Sequence, residues 1–309
     1  MRNKIKIFTP LREIEEILPL VKYGADAFFL GFGANKNIKD VNSLNLRPFN
    51  DANFTSRAKL KDALKIINSL NKESYLCLNN DFYTDPEFEA VFKLLENISR
   101  LLTGVVVSDF LLMKKIKETY GYLKISASTR AKICNSQSVK FYLNAGADKI
   151  TLPVCLSMNE IKKIVLLNPK VEFKVFVKNE MCNNINALCG VTHNCFENKE
   201  IGPVFCKYPR EFISVKKKLK NRLASYLKTL CFDNECGVCS MKTLYNMGIS
   251  TFKMAGRNIP LEKKIQDLYF ISSARKFIKD NKKSFENNVS QLHKKIYGHK
   301  CQRNCLYEK

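Results

Sequence analysis

The chain has 309 residues, of which 45% are hydrophobic, so the composition predicts a folded protein with a sizeable core rather than a disordered one. No apolar run approaches the roughly eighteen residues that a membrane-spanning helix needs, and we expect no contact with a membrane. The N-terminus has neither the apolar core nor the cleavage site of a signal peptide, which predicts a cytoplasmic protein.

The formal net charge of +23 has two explanations. A large positive charge is typical of proteins that bind a polyanion such as RNA. The alternative is a Lys- and Asn-rich genome, because most of the positive charge is lysine scattered along the chain. The charge is densest late in the chain, in VKKKLKNRLASYLK (215–228), KFIKDNKKSF (276–285) and HKKIYGHK (293–300).

Short apolar segments recur along the chain, as expected of parallel strands that are covered on both faces. They are KIKIFTP (4–10), AFFLGF (27–32), SYLCLNN (74–80), GVVVSD (104–109), KISAST (124–129), KITLPV (149–154), FKVFVKN (173–179) and TFKMAG (251–256). Amphipathic segments that predict helices lie between them, including LREIEEILPLVKYG (11–24), KLKDALKIINSLNK (59–72), DPEFEAVFKLLENISR (85–100) and SMNEIKKIVLLN (157–168).

Eight strands that alternate with helices predict an α/β fold with a (β/α)8 TIM-barrel-like core. A doubly wound open sheet is the alternative, but no Gly-rich phosphate loop follows the first strand, which argues against a nucleotide-binding sheet. After residue 260 the pattern is helical and basic. We therefore predict a barrel-like domain over residues 1–260 and a helical, basic C-terminal extension over residues 261–309.

Twelve cysteines are many for a protein of a reducing cytosol, where clustered cysteines bind metal or perform redox chemistry. Four of them lie in a Cys-rich loop, residues 181–206, directly after the seventh predicted strand. Two more precede the eighth strand, and Arg257 follows it, so three segments could meet at the C-terminal face of the barrel. The six cysteines are Cys182, Cys189, Cys195, Cys206, Cys236 and Cys239.

The spacing of these cysteines bears on what they bind, since thiolates hold either tetrahedral zinc or an iron–sulfur cluster. Zinc sites commonly use two close pairs, and in this region only Cys236 and Cys239 form such a pair. The remaining spacing is wide and fits a cluster at an active site better. Zinc and unligated thiols remain the alternatives.

Several segments resemble peptidase family U32, the collagenase-like proteases. VFVKNEMC (175–182) is similar to the stretch that leads to the family's first cysteine; Cys189 and Cys206 follow, and Cys236 precedes KMAGR (253–257). Further segments agree in the same order: KYGADAFFLG (22–31), ANFT (52–55), VSDFLLMKKIKE (107–118), LKISASTRAKICNS (123–136) and LPVCLSMNEI (152–161).

The resemblance implies a [4Fe–4S] cluster, and it implies oxygen-independent hydroxylation rather than proteolysis. The substrates in this group include a ubiquinone precursor, a tRNA wobble uridine and a ribosomal RNA cytidine, with prephenate implicated as the oxygen donor. A chain of this size resembles the ubiquinone-type members, which work as pairs of homologous subunits. The implied cluster ligands are Cys182, Cys189, Cys206 and Cys236.

The resemblance also implies polar site residues. Asp109, which would bind substrate or act as a general base, and Arg257, which would hold a carboxylate, match family positions. His193 is the third predicted catalytic residue, as an acid or base, because it lies in the polar Cys-rich loop and a histidine titrates near neutral pH. A helix N-cap is the alternative for Asp109, and a structural salt bridge for Arg257. Ser128, Thr129 and Asn135 also match family positions, and we predict that they line the substrate pocket; hydrogen bonding within the loop is the alternative.

Four cysteines lie outside the resemblance or at its edge. We expect Cys195 and Cys239 to be bystanders rather than ligands. Cys301 and Cys305 are one helical turn apart near the end of the chain, a spacing that permits a second metal site.

The chain also departs from the family pattern. Lys178 and Asn179 replace a His-Gly pair, and Val154 and Cys155 replace an Arg-Glu pair. Ser126 and Arg130 stand where the family has His and Gln. We therefore expect a divergent hydroxylase, or the partner subunit of one, that acts on a small aromatic molecule or on a base of tRNA or rRNA. A U32-type peptidase and a non-catalytic RNA-binding subunit that carries a cluster or zinc are the alternatives.

Overall fold

In the computed structural model of this protein, the described residues are 4–33, 44–45, 52–179, 236–280, 284–301 and 305–307. The whole of the predicted Cys-rich loop, residues 181–206, therefore lies outside the described residues. So do three of the four predicted cluster ligands, Cys182, Cys189 and Cys206, together with Cys195 and His193.

The eight strands form a closed barrel in which every strand pairs in parallel with the next and β8 pairs with β1. The strands are β1 (Lys6–Leu11), β2 (Ala27–Leu30), β3 (Glu73–Leu78), β4 (Gly104–Val107), β5 (Lys124–Ala127), β6 (Lys149–Thr151), β7 (Glu172–Lys178) and β8 (Thr251–Met254). Each lies on or within one residue of a segment that the sequence predicts as a strand. The TIM-barrel-like core is thus confirmed, and the open sheet is excluded because the ring closes.

The described helices are α1 (Ile17–Lys22), α2 (Arg57–Ser69), α3 (Asp85–Ile98), α4 (Phe110–Thr119), α5 (Ser136–Asn144), α6 (Met158–Leu167), α7 (Met241–Asn246), α8 (Leu261–Lys279) and α9 (Phe285–Tyr297). Local sequence sets where several of them begin. Thr84 and Ser157 each form a capping box with the glutamate three residues later, which satisfies backbone N–H groups that the first helical turn leaves exposed. None of the described helices is both long and apolar enough to span a membrane.

The main core lies between the barrel and its helices. Alternate strand residues such as Ile7 and Val105 face outward and pack on apolar helix residues such as Leu64 and Leu95. A second, smaller apolar cluster fills the barrel itself and includes Phe8, Phe29, Tyr75, Cys77 and Val106. Both faces of each strand are therefore covered, which explains why the strands read as nearly continuous apolar runs.

The floor of the barrel, at the N-terminal ends of the strands, is a network of charges. Glu73 forms an ion pair with Lys6, and its Oε2 lies 3.4 Å from Lys149 Nζ. Lys149 Nζ lies 3.1 Å from a carboxylate oxygen of Glu172, and the Tyr75 hydroxyl donates to Glu73 Oε2 at 2.9 Å. These residues come from four different strands, so the network joins them across the barrel.

The helix that follows β8 packs on the barrel, and buried ion pairs fix its position. Lys264 of α8 lies 2.7 Å from Glu16, and both side chains are fully buried. Arg275 of the same helix forms an ion pair with Asp26, just before β2. Helix α9 packs along α8. The division of the chain at residue 260 stays a prediction, and α8 occupies the place of the eighth barrel helix.

Candidate active site at the barrel mouth

Arg257 lies at the C-terminal end of the barrel, just after β8, and two asparagines hold its guanidinium. Nη1 donates to Asn53 Oδ1 at 2.9 Å and Nη2 donates to Asn45 Oδ1 at 2.7 Å. A side chain at Gly31 would overlap the guanidinium, since a Cβ there would lie 1.7 Å from Arg257 Nη1. Two amide oxygens thus fix the guanidinium in place, and the role of Arg257 in chemistry stays a prediction.

A second arginine, Arg130, is fixed at the same end of the barrel. Its Nε donates to Asp81 Oδ1 at 3.0 Å, and Nη2 also bonds to that carboxylate. Arg130 follows β5 and Asp81 follows β3, so this two-point ion pair links two loops of the mouth. Sequence reasoning noticed Arg130 only as a departure from the family pattern and missed its partner, which is 49 residues away.

Three of the predicted polar site residues begin helices at this face. Asp109 Oδ1 accepts a hydrogen bond from Leu112 N at 2.7 Å and caps α4. Asn135 Oδ1 accepts from Ser138 N at 2.9 Å and caps α5. Ser128 caps the short 3-10 turn Thr129–Ala131, in which Thr129 is buried. Capping accounts for these side chains structurally, and their roles in chemistry stay predictions.

Cys236 is the one predicted cluster ligand among the described residues, and it lies beside the end of β7. It forms an antiparallel bridge with Lys178 and a parallel bridge with Cys305 near the C-terminus. Burial raises the pKa of the Cys236 thiol, and the nearby Cys301 and Cys305 raise it further. The Lys178 ammonium and the Val238 N–H act in the opposite direction because they stabilise the thiolate.

The Lys178 ammonium near Cys236 favours a thiolate, which is the form of cysteine that soft metals and iron–sulfur clusters bind. None of the seven cysteines in the described ranges is in a disulfide. Within those ranges, no three Cys, His, Asp or Glu side chains are grouped closely enough for a single metal ion. The other three predicted ligands, Cys182, Cys189 and Cys206, lie outside the described residues, and the cluster stays a prediction.

Comparison with known proteins shows which family this chain belongs to. A model described as Peptidase family U32 matches residues 12–309. The chain belongs to peptidase family U32. A solved structure described as a U32 peptidase covers 82% of this chain and 93% of its own, at 14% identity and a TM-score of 0.48.

The curated relatives of this U32 chain carry two kinds of name. An uncharacterized protease of Methanocaldococcus jannaschii is 29% identical over 63% of this chain and 46% of its own length. A collagenase of Porphyromonas gingivalis is 23% identical over 82% of this chain and 61% of its own. The tRNA hydroxylation protein P of Haemophilus influenzae is 26% identical over 60% of this chain and 38% of its own. The chain thus spans between about two fifths and three fifths of these relatives' lengths.

The mouth of this U32 barrel also contains a pair of cysteines that sequence reasoning did not connect. A hydrogen bond with Cys155 lowers the pKa of Cys134 to about 7, while burial acts in the opposite direction. Cys134 follows β5 and Cys155 follows β6, so both lie near the face where barrel enzymes place reactive groups. A thiol with a pKa this low is partly thiolate at neutral pH and hence nucleophilic.

Two lysines inside the barrel were also missed. Lys174 is fully buried with no hydrogen-bond partner for its Nζ among the described residues; the Nζ lies 4.3 Å from the centre of the Phe8 ring. Lys253 Nζ lies 4.3 Å from the Phe29 ring and 4.8 Å from the Phe176 ring. Burial, followed by the charges of Lys253 and Lys149, pushes the pKa of Lys174 well below its ordinary value.

Proposed function

We propose that this protein is an oxygen-independent hydroxylase that acts on a tRNA nucleobase. The observation that carries the proposal is its similarity to proteins named for tRNA hydroxylation in Haemophilus influenzae, Helicobacter pylori, Bacillus subtilis and Escherichia coli. The net charge of +23 supports an RNA substrate, since lysine-rich surfaces attract the phosphate backbone.

The cofactor in this proposal is a [4Fe–4S] cluster held by Cys182, Cys189, Cys206 and Cys236. When bound, it would supply one-electron chemistry. Lys178 has a supporting role in the proposal, because its ammonium beside Cys236 favours the thiolate that a cluster ligand must be.

Arg257 is the proposed anchor for the oxygen donor, a carboxylate compound such as prephenate. A guanidinium binds a carboxylate through two parallel hydrogen bonds, and Asn45 and Asn53 fix its plane. Both asparagines lie between β2 and α2, and Arg257 follows β8. The anchor therefore connects the loop after β2 with the loop after β8. Arg257 therefore lies where a bound oxygen donor could meet a tRNA nucleobase that enters from the C-terminal face of the barrel.

The test is hydroxylation of tRNA by anaerobically purified protein supplied with prephenate and an electron donor, with nucleosides analysed by mass spectrometry. We expect a tRNA nucleoside heavier by one oxygen, and no such product from a variant with serine at all four proposed ligand positions. A second arm adds a homologous U32 partner, in case the chain works as one of a pair. Absence of the product in both arms, with iron and sulfide bound, would overturn the proposal; salt-sensitive tRNA binding would then indicate the non-catalytic RNA-binding subunit.

A peptidase is the second candidate, because two relatives are named as a protease and a collagenase and because Cys134 has a lowered pKa. The thiolate of Cys134 would be the nucleophile in this alternative. Cleavage of gelatin or of a peptide library by metal-free protein, abolished by Cys134→Ala and retained by Cys77→Ala, would favour it. Failure to cleave any peptide would remove it.

A further inference from the structure

Cys134 and Cys155 bring two thiols together from two loops of the barrel mouth. Cys134 lies between β5 and α5, and Cys155 lies between β6 and α6. The two loops are neighbours because β5 and β6 pair in parallel. A hydrogen bond joins the two side chains, and neither cysteine is in a disulfide. Closure of the barrel, and not a local sequence motif, therefore creates this pair.

Buried neighbours fix the positions of both cysteines. Ile133, directly before Cys134, is fully buried in the main core. Val154 and Leu156, on either side of Cys155, are buried in the same core. The two cysteines themselves are only half-buried. The backbone on both sides of the pair is thus anchored, while a small molecule can still reach the sulfur atoms.

The hydrogen bond gives the two sulfur atoms different properties. It lowers the pKa of Cys134 to about 7, against the opposing effects of burial and of the Glu160 carboxylate. About half of Cys134 is therefore thiolate at neutral pH, and Cys155 holds the proton that it donates to this thiolate. A thiol whose pKa lies near the ambient pH is the best attacking group in thiol–disulfide exchange. Cys134 is thus suited to attack first, and Cys155 lies in contact with it.

We propose that Cys134 and Cys155 form a redox-active dithiol, which reacts with a low-molecular-weight disulfide and closes to an intramolecular disulfide between the two loops. The dithiol does not depend on the proposed hydroxylase activity. Cys155 stands where the family pattern has a glutamate, so the dithiol is a property of this chain and not of the family.

The proposed exchange has two steps. The Cys134 thiolate attacks one sulfur of the small disulfide, which forms a mixed disulfide and releases one half as a thiolate. Cys155 then loses its proton and attacks the Cys134 sulfur, which releases the second half. The protein dithiol loses two electrons and two protons in total, and the small disulfide gains them and becomes two thiols. The new bond would tie the loop that carries Ser128, Thr129 and Asn135 to the loop after β6.

The test uses full-length protein that is prepared without oxygen and incubated at neutral pH in graded mixtures of oxidised and reduced glutathione. The remaining thiols are then alkylated, and the protein is cleaved with trypsin without reduction. Trypsin cleaves after lysine and releases Cys134 and Cys155 on two peptides with one cysteine each, residues 133–140 and 150–162. We expect mass spectrometry to find these two peptides joined by a disulfide, and dithiothreitol to separate them.

Two variants of Cys155 separate the steps of the exchange. Cys155→Ser keeps a hydrogen-bond donor beside Cys134 but has no second sulfur, so glutathione should accumulate on Cys134. Cys155→Ala also loses the donor, and the pKa of Cys134 should rise toward the ordinary value of about 8.5. The thiolate fraction then falls more than its nucleophilicity rises, so glutathione should add about threefold more slowly than in Cys155→Ser.

Two further variants complete the comparison. Cys134→Ser should leave Cys155 without glutathione, because the attacking thiol is absent. Cys239→Ser is the matched control, since Cys239 is also half-buried but lines a different groove with Lys242 and Phe285. It should form the joined peptides as readily as the wild type. Circular dichroism checks that each variant keeps the fold.

The wild-type protein carries the decisive measurement, so the test does not depend on any variant. Wild-type protein that keeps glutathione on Cys134 and never joins the two peptides would overturn the closure step. Absence of reaction at both cysteines, even in fully oxidised glutathione, would overturn the dithiol. Disulfides that join either peptide to other cysteines in preference would also overturn it.

Discussion

The two ends of this barrel hold their charged side chains in different ways. At the floor, Lys6, Lys149, Glu73 and Glu172 neutralise one another in a network that spans the strands. At the mouth, Arg257 is held by two neutral amides, and Cys236 lies beside the Lys178 ammonium. The floor joins four strands through opposite charges, while the mouth fixes one arginine with two amides and another, Arg130, with the Asp81 carboxylate.

The largest expected effect is at the mouth. Arg257→Lys keeps the charge but loses the planar, two-point geometry, so the donor carboxylate would be misplaced. Misplacement of a reacting group by about 1 Å can cost a hundredfold in rate, and we expect a fall of about that size in tRNA hydroxylation. The measurement is product formed per unit of folded protein. An unchanged rate would show that Arg257 is structural.

The matching change at the floor is Glu73→Gln, which should lower stability and leave the rate per folded molecule unchanged. Burial raises the pKa of Glu73, but the hydrogen bond from Lys6 and the charge of Lys149 outweigh it and leave that pKa below 4.5. Removing one partner of a network that is partly exposed to water should lower the free energy of unfolding by about 1–3 kcal/mol.

The stability that Glu73 contributes depends on pH in a defined direction. A carboxyl with a lowered pKa in the folded state stabilises the fold above its unfolded pKa and loses that effect as pH falls through the folded value. Urea unfolding measures the difference in free energy of unfolding between wild type and Glu73→Gln. This difference should therefore be largest at neutral pH and decrease below pH 4.5. A difference that grows in acid would contradict the ion-pair explanation.

Inside the barrel, between the two ends, Lys174→Met should increase stability. The variant removes a buried amine that has no hydrogen-bond partner among the described residues, and it keeps a similar volume. We therefore expect the free energy of unfolding to rise by about 1–3 kcal/mol. Since the folded-state pKa lies well below 10.5, the unfolded chain binds more protons at every pH between the two pKa values. The free energy of unfolding of the wild type should thus rise as the pH approaches 10.5. The difference in free energy of unfolding between Lys174→Met and the wild type should become smaller over the same range. A destabilised Lys174→Met would mean that the amine has a partner in the folded protein.

The smallest expected effect is that of Tyr307→Phe in the C-terminal tail, residues 305–307. One buried hydrogen bond to the Phe176 carbonyl is lost, with an expected cost of about 0.5–1.5 kcal/mol in unfolding. Hydrogen exchange at Leu306, whose N–H bonds to Cys236, should increase selectively. Faster exchange at the floor as well would indicate global destabilisation in place of local release of the tail.

The sequence by itself determined the barrel. Each apolar segment has the length and composition of a strand buried on both faces, and Ser, Thr and Asp residues mark helix starts, as at Thr84 and Ser157. These are local effects of side-chain burial and backbone hydrogen bonding, which is why the pattern predicts them. The motif order around the cysteines and KMAGR likewise predicted the family.

Only the tertiary structure decided which distant residues meet. Arg257 contacts Asn45 and Asn53 across more than 200 residues of sequence, and Tyr307 contacts Phe176 across 131. The end of the chain looked from its composition like a basic tail, yet it pairs with Cys236. Closure of the barrel determines such contacts, because it places the ends of β7, β8 and β2 on one rim whatever their separation in the chain. No local pattern contains that information, since hydrophobic periodicity specifies which face is buried and not what covers it.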